Sequence, residues 1–324
     1  MRSSTFSLTA PDGLELFAYR WLPEASPRAV VQIAHGLFEH AGRYIPLAEA
    51  LTWSGYAVYA GDHRGHGRTA PSVEQLGCLA ERDGWQKCLG DFRQLNRRIV
   101  VEHPTLPVVL IGQSLGALMV LHFLGEHPEP VRGAVLAGMI GRPARLAFAG
   151  MIARIERLRL GPHGKSSIVH ALSCGGLNRR FAPARTEADW LSRDPAEVDK
   201  YIADPLCRFR PSVQLWIDVL LAMNGIADPV RLARIPKRLP IHLIAGTEDP
   251  LAGSGLEQLL SSYRTAGLQH VTHRLYPGAR HALFSETNRY EVTEELRAWL
   301  DETTGRRPSL TDARSRRARR GPWA

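Results

Sequence analysis

Short apolar runs recur along the chain, separated by longer stretches in which apolar positions return every three or four residues. The runs at Thr5–Thr9, Leu14–Trp21, Ala29–Ala34, Ala57–Ala60, Val108–Ile111, Ala134–Leu136, Ile241–Ile244 and Val271–Leu275 predict eight strands. Most of the later runs are rich in Val, Ile, Leu and Ala, as parallel strands buried on both faces require. The first two flank Pro11-Asp12-Gly13, a turn triplet that predicts an antiparallel hairpin. Helical periodicity falls between the runs, at about Tyr44–Trp53, Trp85–Glu102, Leu115–His127, Leu256–Ala266 and Asn288–Asp301. Strand–helix alternation of this kind predicts an α/β fold, with a mostly parallel eight-stranded sheet flanked by helices.

The alternation lapses between about Met139 and Ile226. Arg145–Leu160 is amphipathic there, with Phe148, Met151, Ile152, Ile155 and Leu158 on one side. Asp194-Pro195-Ala196-Glu197 marks a further helix start: an acidic cap, proline at the first helical position and a carboxylate at the third. The segment reads as a helical lid inserted into the strand–helix series. The expected organisation is a core of residues 1–138 and 227–303, a lid of 139–226 and a tail of 304–324.

The 324 residues are 44% hydrophobic and 23% charged, an ordinary globular balance that excludes a disordered, collagenous or coiled-coil chain. Cys78, Cys88, Cys174 and Cys207 form no C-x-x-C pair, which fits a reducing compartment and argues against a zinc site. The first thirty residues contain no apolar signal core, and no apolar stretch is long enough to span a bilayer; a cytoplasmic protein is expected. The net charge is +9, yet residues 306–324 alone hold seven arginines and one aspartate. Basicity therefore belongs to the tail, which is expected to be a solvated, disordered end. Without aromatic or glycine interleaving it makes nucleic acid a poor partner.

Gly112-Gln113-Ser114-Leu115-Gly116 follows one buried run and opens a helical pattern. That is the strand–turn–helix context of a nucleophile elbow, where glycines permit the strained turn that lifts a serine hydroxyl above a sheet. Serine needs a base oriented by a third group. Asp249 follows the run Ile241–Ile244, and His281 follows the last run, so both fall on loops at the same end of the sheet. Glu248 is the rival acid beside Asp249, and His270, His273, His122 and His127 sit where structural histidines belong. The backbone N–H of Leu115 and that of Leu37, after Gly36, are the candidate oxyanion donors. His63 and His66 with Asp62 lack a third ligand at fitting spacing, so no metal is expected.

These pieces resemble the α/β-hydrolase superfamily, and within it the monoacylglycerol lipase/lysophospholipase group (serine aminopeptidase-like hydrolases). The likeness rests on His35-Gly36-Leu37-Phe38-Glu39-His40, Asp62-His63-Arg64-Gly65-His66-Gly67-Arg68, Asp83-Gly84-Trp85 with Asp91, and the Ser114 pentad. Ser192-Arg193-Asp194-Pro195, Asp204-Pro205-Leu206, the Asp249 turn and the His281 loop extend it. Phe38 departs from the pattern, standing where many relatives carry a small residue. The resemblance implies a Ser114–Asp249–His281 hydrolase without cofactor, with a helical lid over an acyl pocket. The substrate implied is a small lipid ester, foremost a monoacylglycerol; lysophospholipase, thioesterase, carboxylesterase, aminopeptidase and a catalytically silent binding module are the alternatives. Phe148, Ile152 and Ile155 are the expected acyl contacts of the lid, and lid and tail together suggest reversible contact with anionic membranes. Oligomeric state is left open.

Overall fold

The structure is a computed structural model that describes residues 1–127, 130–139, 145–251 and 255–305; of residues 145–147 only the backbone is described. Residues 306–324 of the expected tail fall outside these residues. Eight strands form one sheet: β1 (Arg2–Thr9), β2 (Glu15–Leu22), β3 (Ala29–Ala34), β4 (Tyr56–Gly61), β5 (Val108–Gln113), β6 (Gly133–Ala137), β7 (Ile241–Gly246) and β8 (Val271–Tyr276). Their order is β1-β2-β4-β3-β5-β6-β7-β8. β1 and β2 pair antiparallel, as do β2 and β4, and every other pair is parallel. The composition explains the burial. β3, β5 and β6 are buried at every position, whereas β1 alternates and keeps one face towards solvent.

Helices α1 (Ile45–Trp53), α2 (Gly84–Glu102) and α3 (Leu115–Glu126) cover the sheet. α3 is buried along almost its whole length, and α2 buries one stripe that includes Trp85, Leu89, Phe92, Leu95 and Ile99. Between β6 and β7 lie α4 (Arg145–Leu160), α5 (Ser167–Cys174), α6 (Pro195–Ala203), α7 (Val213–Asn224) and α8 (Pro229–Arg234). Asp194 caps α6 as its sequence predicts, its carboxylate accepting from the Ala196 N–H at 3.0 Å. α9 (Gly255–Thr265) and α10 (Arg289–Thr303) close the chain's second half. Among the described residues no helix is long and apolar enough to cross a membrane.

β3 and β5 are neighbours, but the chain leaves β3 towards β4 on one side and returns through β5 on the other. The loops after these two strands therefore diverge at a topological switch point, where open α/β sheets form their ligand crevice.

Candidate active site

Ser114 stands at that switch point, between β5 and α3, with φ 56° and ψ −115°. A side chain seldom occupies this region, and strain of this kind is held only where the surroundings over-determine it. They do so here. A Cβ on Gly112 would lie 2.3 Å from the Gly116 carbonyl oxygen, and one on Gly116 would lie 2.0 Å from that of Ala34. The glycines of the pentad thus let β3, β5 and α3 approach closely enough to force the turn. The Ser114 N–H is fixed by the Ala137 carbonyl at 2.8 Å.

His281 and Asp249 meet at the same end of the sheet. The His281 Nδ1 lies 2.8 Å from the Asp249 Oδ2, and both side chains are buried. Asp249 also accepts from the Leu251 N–H through its other oxygen at 2.8 Å. With the aspartate on Nδ1, the His281 Nε2 is the nitrogen left to serve as base. Glu248, the rival acid, points away to an exposed ion pair with Arg180 at 2.9 Å. His122 accepts from the Trp85 indole N–H at 3.0 Å, a structural contact. Ser114 and His281 line one cavity together with Leu37 and Leu115, the residues named for their backbone N–H groups.

The loop after β3 is held by histidines. The His63 backbone N–H donates to the His35 Nε2 at 2.9 Å, so in the neutral ring the proton sits on Nδ1. That Nδ1–H donates to the Gly36 carbonyl at 2.8 Å. The Gly36 carbonyl and the Leu37 N–H belong to one peptide plane, so His35 orients the proposed oxyanion donor. Burial keeps the imidazoles neutral: His35 lies well below the usual histidine range, and His63 is lowered to about 3. His66 packs beside them, 2.7 Å from the Leu37 carbonyl. His63 and His66 are thus engaged with backbone carbonyls. Among the described residues, the group with metal-ligand spacing is His40, Asp204 and Cys207, and there His40 and Asp204 already bond each other at 2.8 Å.

Several residues that shape the site went unremarked in the sequence. Gln113 donates through Nε2 to the His281 carbonyl at 2.9 Å. Gly138, at φ 56°, leaves room for both; a Cβ there would be 2.7 Å from Gln113 Nε2 and 3.1 Å from His281 Cε1. Glu286 is fully buried and accepts from the N–H groups of Arg193, Arg280 and Thr287 and from the Arg193 guanidinium. It clamps the segment before α6 to the His281 loop, an arrangement completed by Ala282 N–H to Leu191 carbonyl at 2.7 Å. This accounts for Ser192-Arg193-Asp194. Arg64 likewise explains Asp91, which it holds through two bonds of 2.7 and 2.8 Å.

The expected acyl contacts need correction. Phe148 and Ile155 are 54% and 55% exposed, and Ile152 packs partly buried against the main core. None of the three lines the cavity. α4 turns its small residues Ala149 and Ala153 inward, and Phe148, Met151, Ile155 and Leu158 face outward. The insertion lines the cavity through Leu177, Trp190, Leu191 and the α7 residues Trp216, Val219 and Met223 instead.

Residues 25–288 match the family described as serine aminopeptidase, S33. The chain is 30% identical over 302 residues to a monoacylglycerol lipase of Mycolicibacterium smegmatis, covering 92% of this chain and 96% of that one. It is 30% identical over 311 residues to the monoglyceride lipase of Mus musculus, covering 90% and 89%. Among solved structures, a thermostable carboxyl esterase from Bacillus coagulans in complex with glycerol superposes with a TM-score of 0.87 at 25% identity, covering 94% of this chain and 99% of that one. On fold, site and likeness together, the protein belongs to the serine aminopeptidase S33 family and is a hydrolase of the monoacylglycerol lipase group of α/β hydrolases.

Proposed function

We propose that the protein hydrolyses monoacylglycerols to glycerol and fatty acid through an acyl-enzyme on Ser114. The observation that carries the reading is the buried His281–Asp249 pair opening on the cavity that Ser114 lines, with an apolar far wall of Leu177, Leu191, Trp216, Val219 and Met223. His281 takes the Ser114 proton as the hydroxyl oxygen attacks the ester carbonyl, and Asp249 holds the ring and stabilises its cation. The N–H groups of Leu37 and Leu115 receive the oxyanion; losing one such donor costs about 10²–10³ in rate. The ester bond to glycerol breaks as His281 returns the proton to the leaving alcohol. Water, deprotonated by the same imidazole, then releases the fatty acid. Helices α4–α7 serve as the lid, and the names of the relatives support the substrate.

The exposed Phe148, Met151, Ile155 and Leu158 on α4, with Ile168 on α5, fit a face that touches a lipid surface. The test of the chemistry is Ser114→Ala. It is expected to remove both turnover of 1-monoacylglycerols and covalent labelling by a fluorophosphonate. Undiminished labelling would refute the assignment, and a panel with lysophosphatidylcholine, acyl-CoA and aminoacyl anilides separates the alternative substrates.

A further inference from the structure

Phe38, where the chain departs from the family pattern, has no part in the steps above. Its side chain borders two cavities. One holds Ser114 and His281 and measures about 100 Å3; the other, measured alike, is about 580 Å3. Among the described residues the two share Phe38, Cys174, Leu177, Trp190 and Tyr201. The ring of Phe38 lies 6.3 Å from that of Trp216, which lines the first cavity and not the second. It also lies 6.0 Å from Phe209 and 6.2 Å from His170, which line the second and not the first. These contacts place the ring in the wall between the two spaces. Four of the five shared residues belong to the insertion, and Phe38 alone comes from the loop after β3. Its neighbours are fixed: the Leu37 carbonyl lies 2.7 Å from His66 Nε2, and Glu39 accepts from the Gly36 N–H at 2.7 Å. The ring itself packs both on the main core and on the insertion's cluster of Ala188, Val198, Tyr201 and Cys207.

An acyl chain carried on Ser114 has the apolar wall of Leu177, Trp216, Val219 and Met223 to lie along, and the ring of Phe38 meets that wall at Trp216. Room for one water takes about 10–15 Å3 of cavity so measured, and a methylene is of similar size. The Ser114 side therefore holds a chain of several carbons, and a longer one needs the space beyond the ring. A small side chain at position 38 would join the two spaces, with Ala188 and Phe209 continuing the apolar lining. Each further methylene buried there would strengthen binding about fourfold. We infer that the Phe38 ring is the end wall of the acyl site, dividing it from the larger cavity and making this enzyme selective for esters of short and medium acyl chains. The inference rests on the acyl-enzyme reading above and deepens it by bounding the acyl group.

The test uses the full-length protein with the 4-nitrophenyl esters of butanoic, octanoic and dodecanoic acids, each kept below aggregation, so that only the acyl chain changes. What is read is kcat/KM for the dodecanoyl ester divided by that for the butanoyl ester, a ratio that loss of folded protein leaves unmoved. The wild type is expected to cleave the dodecanoyl ester least efficiently. Phe38→Ala should raise the ratio about tenfold or more and Phe38→Leu by less, whereas Phe38→Trp should hold it at or below the wild-type value. Weakened packing between core and insertion lowers cleavage at every length alike and cannot produce that order. A ratio that stays constant across the four proteins overturns the wall and leaves Phe38 a packing residue. So does a wild type that cleaves the dodecanoyl ester as well as the butanoyl ester. If Phe38→Ala does not fold, Phe38→Leu and Phe38→Trp decide on the same criterion. A wild type that cleaves none of the three esters sinks the acyl-enzyme reading and takes the inference with it, an outcome distinct from an unmoved ratio.

Discussion

The two walls of the cavity are built on different physical terms. The wall proposed to carry the chemistry hangs from strands whose every position is buried, and its loops are closed by backbone approaches that leave no space for a Cβ. The facing wall comes from the helices between β6 and β7. Those helices expose large apolar side chains to solvent, among them Phe148, Met151, Ile155, Leu158 and Ile168. Geometry is over-determined on one side and loosely specified on the other. A hydrolase of this kind needs that division: the reacting atoms tolerate little displacement, whereas the lipid-facing wall must admit substrates of varied shape.

The sharpest way to break this contrast is to crowd the rigid wall. Gly116→Ala places a Cβ 2.0 Å from the Ala34 carbonyl oxygen, and backbone on both sides prevents relief. Loss of ester hydrolysis is expected, with a melting temperature lower by roughly 5–10 °C. An active, equally stable Gly116→Ala protein would show that the strand and helix can part without harm. On the helical side the largest expected effect is on association with lipid, not on chemistry. Replacing Phe148, Ile155 and Leu158 together by serine should lower binding to anionic vesicles about tenfold or more while hydrolysis of monomeric esters stays within about twofold. Vesicle co-sedimentation beside a soluble-ester assay reads both; a parallel loss of each would place these side chains inside the cavity after all.

The smallest effect concerns Asp218, on α7. Burial raises its carboxyl to about 6, helped by the nearby Asp83 charge and opposed by its hydrogen bond from Gln214 and by the charge of Arg157. The folded state therefore keeps a proton that the unfolded chain releases near its ordinary value of about 4. Its contribution favours the fold below that value and is lost as pH rises through about 6. Asp218→Asn should accordingly melt a few degrees above the wild type at pH 8 and level with it near pH 4. Thermal melts across that range decide it, and a gain that does not depend on pH would assign the effect to packing.

Much of the rigid wall was legible in the sequence because its signals are local. The eight apolar runs, most of the later ones rich in Val, Ile, Leu and Ala, marked the eight strands to within a few residues, and the spacing of glycines around Ser114 marked the elbow. Asp249 and His281 could be placed because each follows a strand at the end where such loops gather. The helical wall was misread for a reason equally physical. α7 is buried along almost all of Val213–Asn224, and the run of Leu, Val, Ile and Trp there is not separated in the sequence from an ordinary core segment. α4 packs through Ala149 and Ala153 with Ile152 beside them, and leaves Phe148, Met151, Ile155 and Leu158 exposed. Gln113, Gly138 and Glu286 were illegible in another way. Each acts across more than ninety residues of chain or by leaving space empty, and a linear pattern encodes neither.

The buried carboxylate of Glu286 has one more implication. By tying the strip around Leu191–Arg193 to the turn that bears the imidazole, it makes that end of the insertion a fixed abutment. A displacement of that strip would carry the imidazole's loop with it, so the near end of the insertion and the ring at 281 are set in place together.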